Sequence, residues 1–199
     1  VAFLGNHPNS VFEQACKDKI DSLDYVDALS ANTVEALQVY ISSHPEGKYI
    51  EDAMQAQKNI ASLKVQPDEA SSVKGVCSQF FTGLANRDET SLASAVAAVM
   101  DNFLNKRNAT HADVMTFADK LASGHHHMVF TMNNDYKIRK VATDTDAFSF
   151  DVTFGVDEHY LTHDGKEEWM TYIVTARINP DMKISSLNMR NVTSASDEN

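Results

Sequence analysis

Cysteine is scarce in this chain: Cys16 and Cys77 are the two thiols among 199 residues. Their separation excludes a zinc knuckle and a dense disulfide framework, and it leaves the redox compartment open. Glycine is limited to seven residues; no Gly-x-Ser-x-Gly elbow and no phosphate-cradling loop is present. Basic residues number 17 against 28 acidic, a net charge of −11. With no stretch that concentrates Lys and Arg, nucleic-acid binding is excluded as an expectation. No run approaches the roughly 20 apolar residues of a membrane span. The chain opens on "VAFLGN" without Met, from which a membrane anchor or signal upstream of residue 1 is expected.

What is present is a 43% hydrophobic content, enough for a core, arranged first in helical and then in strand periods. Ser10 and Glu13 have capping-box spacing, followed by Phe12, Cys16, Ile20 and Leu23 on one helical face. Asn32 and Glu35 repeat the spacing before Val34, Leu37 and Ile41. Pro45 and Gly47 in "HPEG" end that helix. A third helix from about Lys48 to Leu63 places Ile50, Ala53, Met54 and Gln57 inward. The segment "NTVEALQVYISSHPEGKYIEDAMQAQ" resembles one tetratricopeptide-type helical hairpin, covering about residues 32 to 63. It implies a spacer or docking module spanning residues 1–66.

"KVQPDEASS", Lys64 to Ser72, lacks apolar periodicity and is expected as the linker. Three helical faces follow: Val73, Val76, Cys77, Phe80, Phe81 and Leu84; then Leu92, Val96, Val99, Met100 and Phe103; then Val114, Phe117 and Leu121 behind a Thr110/Asp113 cap. From residue 125 the period becomes two. Phe148, Phe150, Val152, Phe154 and Val156 form one apolar strand face, with Asp151 on the other. A strand centred on Tyr172 carries apolar residues on both faces and is expected to be central. Tyr136–Ala142 and Ile184–Val192 complete an antiparallel meander. The fold class is α+β: a helical module, then three helices on a curved antiparallel sheet.

"VCSQFFTGLANRDETSL", "YKIRKV", "FSFDVTF" and "YIVTARINPDMKISSLNM" make residues 72–193 similar to the nuclear-transport-factor-2-like superfamily. That resemblance implies a cone with an internal pocket and hosts isomerases, dehydratases and non-catalytic binding domains alike, so it fixes no activity. A ketosteroid-isomerase-like site is not evident. Phe80 and Phe81 stand where such enzymes commonly offer a Tyr hydroxyl, and Asp151 faces away. The pocket candidates are Phe80, Phe81, Phe150, Trp169, Tyr172 and Arg177.

"GHHHM" (124–128) splits its imidazoles between two strand faces. It is therefore expected to hold no metal, with His125 and His127 solvated and His126 half-buried. No catalytic residue and no cofactor is assigned. The expected function is non-catalytic: a domain of an envelope-associated protein, exported or membrane-anchored in bacteria, that binds a small hydrophobic ligand or a protein partner. A homodimer through the sheet is among the expected partners. The alternatives are a small-molecule isomerase or dehydratase using the cone pocket, and a structural spacer or oligomerisation module.

Overall fold

The computed structural model describes residue 5 and residues 10–145 and 147–192. Most of "VAFLGN" and the expected domain end at Thr193 lie outside them. The chain divides into two compact units after Lys64.

Among its described residues the first unit carries the helices α1 (Glu13–Ala31), α2 (Val34–Ser43) and α3 (Ile50–Ser62). Two of the expected caps differ. Ser10 forms a turn in which its hydroxyl accepts from Phe12 N–H at 3.3 Å, with no side-chain cap on α1. Thr33, not Asn32, caps α2 by accepting from Ala36 N–H at 3.1 Å, while Asn32 ends α1 in the left-handed region with φ 50°. Gln57 donates to Val34 O and Gln38 Oε1, so α3 runs back antiparallel to α2. The resemblance of this pair to a tetratricopeptide hairpin rests on its sequence.

The buried face of α1 is not the expected stripe. Phe12 and Leu23 are exposed, as is Met54 on α3, and α1 instead buries Asp21 and Ala28. A hydrophobic count cannot find such a face, because a carboxylate stands at its centre. Asp21 accepts from Tyr40 O–H at 2.6 Å and from Lys48 N–H at 3.0 Å, which tie α1 to α2 and to the turn after it. Burial, followed by the bond to Asp21, pushes the Tyr40 phenol up to about 12, so it remains the donor. Gly47 makes room for this arrangement: a Cβ there would lie 2.5 Å from Asp21 Oδ1 and 2.9 Å from the Tyr40 oxygen. Gly47→Ala is expected to destabilise this unit by about 1–3 kcal/mol through overpacking, measured as a lower midpoint in thermal unfolding.

In the second unit helix begins at Pro67, inside the expected linker: α4 (Pro67–Asn86), then α5 (Glu89–Ala95) and α6 (His111–Gly124). Gln66 and Glu69 form a capping box at the start of α4, and Thr110 and Asp113 form the expected one on α6. The strands are β1 (Val99–Phe103), β2 (Lys106–Thr110), β3 (His126–Met132), β4 (Lys137–Ala142), β5 (Phe148–Leu161), β6 (Glu167–Ile178) and β7 (Ile184–Asn191). They form one sheet of order β2-β1-β7-β6-β5-β3, with β4 also on β5.

The sheet is mixed, not purely antiparallel, because β1 pairs parallel with β7 through Asn102↔Ser186 and Phe103↔Leu187. That pairing overrides the helical spacing of Leu92 to Phe103. Val99–Phe103 is strand, and Met100 and Phe103 still reach the core. The core packs Phe80, Phe81 and Leu84 of α4 against Phe154, Val174, Ile178 and Leu187 of the sheet.

One ion pair sets an acid limit on this unit. Lys140 Nζ, nearly buried and 4.1 Å from the Phe148 ring centre, lies 2.6 Å from Glu69 Oε1. The Gln66 N–H and then Lys140 hold the Glu69 carboxyl below its ordinary 4.5. A depressed folded-state pKa contributes stability above the unfolded value and loses it as pH falls through the folded value. Melting temperature should therefore decline below about pH 4.5, and Glu69→Gln should flatten that part of the profile.

Candidate functional site

Strand β5 carries the site. Its inward parity, Phe150, Val152, Phe154 and Val156, continues past the expected end of the strand to Glu158 and Tyr160. Glu158 is 1% exposed. It pairs across the sheet with Phe130 on β3 and Met170 on β6, so a carboxylate sits on the apolar side of the sheet. Asp151 faces away as expected, bonded to Arg177, and the inward carboxylate lies further along β5, beyond the stretch read from sequence. Extending the period-two pattern by one residue pair would have found it.

Two hydrogen bonds hold the carboxylate. His125 Nδ1 lies 2.5 Å from Oε1, and Tyr172 O–H donates to Oε2 at 3.0 Å. An ionised carboxylate only accepts, so Nδ1 then carries the proton. Burial, followed by the charge of Glu158 and the bond to it, pushes the Tyr172 phenol upward, which keeps it a donor. The His125 ring also stacks on Tyr160, centres 3.7 Å apart and planes 9° apart.

For two of the three histidines the expectation is reversed, while His127 is exposed as expected. His125 ends α6 instead of opening a strand and is the half-buried, bonded ring, whereas His126 and His127 are exposed. A bulge causes this: between His126↔Leu161 and Val129↔His159 the register shifts, and His127 has φ 50°. An extra residue breaks strict alternation, so parity counted across the bulge assigns the wrong faces. Among the described residues, no three His, Cys, Asp or Glu side chains are grouped to hold a metal ion.

Around Glu158 is a pocket of about 190 Å³. Leu104 comes from the β1–β2 turn, Phe117 and Leu121 from α6, Phe130 from β3, Tyr172 from β6 and Met189 from β7. The volume is below the roughly 300 Å³ of drug-sized sites, which limits an occupant to a small molecule.

Of the candidates read from sequence, Tyr172 lines this pocket. Phe80 and Phe81 are buried in the core behind it. Phe150 lines a separate recess of about 280 Å³ with Glu69 and Met182. Trp169 is 61% exposed, stacked on His159 with ring centres 4.1 Å apart. Arg177 bonds Asp151 at 2.8 Å on the sheet's other face. Trp169 and Arg177 are opposite in parity to Tyr172 on β6, which is the physical reason they miss the pocket. Cys77 is buried in the core, and that burial raises its thiol to about 12, which makes it inert as a nucleophile.

No family model matches the chain, and no curated protein matches it in sequence. Among solved structures, a type 2 hexachlorocyclohexane dehydrochlorinase (LinA) is similar with a TM-score of 0.51 at 15% identity, over 63% of this chain and 86% of that one. A type 3 LinA from Novosphingobium barchaimii gives 0.51 at 14% identity, over 63% and 87%. A nuclear transport factor 2-like superfamily protein from Salmonella enterica gives 0.50 at 11% identity, over 65% and 99%. The three helices, the curved mixed sheet and these likenesses agree: the second unit of this chain has the nuclear-transport-factor-2-like fold.

Proposed function

We propose that the second unit binds a small, largely apolar molecule in the cone pocket, with a polar group of that molecule set against Glu158 and Tyr172. The observation that carries this is a carboxylate 1% exposed in a wall otherwise made of Leu, Phe, Tyr and Met. A group so buried is retained at a cost unless it is bonded, and Glu158 is bonded at one oxygen by His125 and at the other by Tyr172. Hydrophobic lining with a few placed polar groups is the usual composition of a ligand site.

The test uses the full chain and benzyl alcohol as probe. A ligand at a hundred times its Kd stabilises the folded state by about 2.7 kcal/mol, so saturating probe should raise the melting temperature of the wild type. In Leu121→Trp, where an indole fills the pocket, the rise should vanish. A rise of equal size in both would contradict pocket binding.

A second reading, acid–base chemistry on the bound molecule, is favoured by the His125–Glu158 pair, because a buried carboxylate hydrogen-bonded to an imidazole can accept and pass on a proton. The shared fold with dehydrochlorinases does not assign that chemistry to this chain.

A further inference from the structure

We infer that the pocket is selective for a small organic cation, a primary ammonium attached to a compact apolar or aromatic body. This rests on the pocket reading above and names its ligand class. Each oxygen of an ionised carboxylate offers about two acceptor positions. His125 takes one on Oε1 and Tyr172 one on Oε2, so two are left in a wall that Glu158 shares with apolar side chains. Among the residues lining the pocket there is no lysine, arginine or histidine to meet an anion. The Tyr172 hydroxyl already donates to Glu158. A ligand carboxylate or phosphate would therefore face a buried like charge with no cation between them, which low polarity makes severe.

A purely apolar ligand would leave the remaining acceptors of Glu158 unmet while displacing the water that could meet them. An ammonium supplies three N–H donors. The rings of Phe117, Phe130 and Tyr172 stand in the same wall, and aromatic faces attract a desolvated cation. The net charge of −11 adds a long-range bias of the same sign.

Three probes of one shape separate the possibilities by isothermal calorimetry on the full chain near neutral pH: benzylamine, benzyl alcohol and benzoate. Benzylamine should bind at least about tenfold more tightly than benzyl alcohol, and benzoate should not bind. In Glu158→Gln the two binding probes should come within about threefold of each other, with folding checked by circular dichroism. Benzoate binding as well as benzylamine, or an amine preference that survives Glu158→Gln, overturns the inference. If benzyl alcohol binds and benzylamine gains nothing over it, cation selectivity fails while the pocket reading stands. If none of the three binds at millimolar concentration, both fail. Should Glu158→Gln not fold, the wild-type ranking of the three probes decides alone.

Discussion

Phe81→Ala should destabilise the second unit by about 3–5 kcal/mol, the range for truncating a fully buried aromatic. The Phe81 ring makes edge contacts with Phe80 at 5.3 Å, Phe130 at 5.1 Å and Phe154 at 6.0 Å. It therefore joins α4 to both β3 and β5, and its loss removes transfer energy and leaves a cavity that three fixed rings cannot close. The measurement is urea unfolding, with a lower midpoint and an unchanged slope. Phe130 also lines the pocket, so ligand affinity should fall along with stability. Trp169→Ala supplies the contrast. Trp169 is just as aromatic in sequence but lies on the open face of the sheet, and its removal should change stability by no more than about 0.5 kcal/mol.

His125→Ala should cost about 3 kcal/mol. Removing a hydrogen-bond partner of a buried acceptor costs about 1–3 kcal/mol, more for a charged group, because the acceptor is stranded, and Glu158 is 1% exposed. Glu158 would keep the Tyr172 bond alone. If the cost comes from stranding, it should largely disappear when the carboxylate is removed too. Thus His125→Ala/Glu158→Leu should be markedly more stable than the sum of the two single changes predicts, by about 1–3 kcal/mol of coupling. Additive losses would mean that His125 acts through its stacking on Tyr160 and not through the carboxylate.

The order of elements was legible in the sequence because periodicity reports which face is apolar, and it does so best in long elements. The α4 stripe from Val73 to Leu84 and the β5 alternation from Phe148 to Val156 lie where their spacing puts them, buried except for the partly exposed Val76 and Phe148. The pattern failed where a tertiary partner decides between two periods. Leu92 to Phe103 satisfies a helix on paper, but Asn102 and Phe103 pair with β7 across more than eighty residues of sequence.

The site was largely illegible for a related reason. Glu158 and Asp21 are acids on buried faces, and a reading that scores faces by apolar content ends the face before it reaches them. His125 was hidden by a bulge, since one inserted residue near His127 exchanges the expected surroundings of His125 and His126. Tyr172 was found because an aromatic on a central strand is read as inward by default. Trp169 was misplaced by the same habit and Arg177 by being read as a polar group within reach of the pocket, although their odd spacing from Tyr172 on β6 already put them on the opposite face.

The most direct test of a ligand-binding cone is a methyl NMR titration of the full chain with benzylamine, observing Met and Leu methyl groups. The account predicts saturable shifts of Met189, Leu104 and Leu121, which line the pocket, with Met54, exposed on α3 of the first unit, unmoved. In Glu158→Gln those shifts should need higher probe concentrations. Shifts that never saturate, or that fall on Met54 as strongly as on Met189, would contradict it.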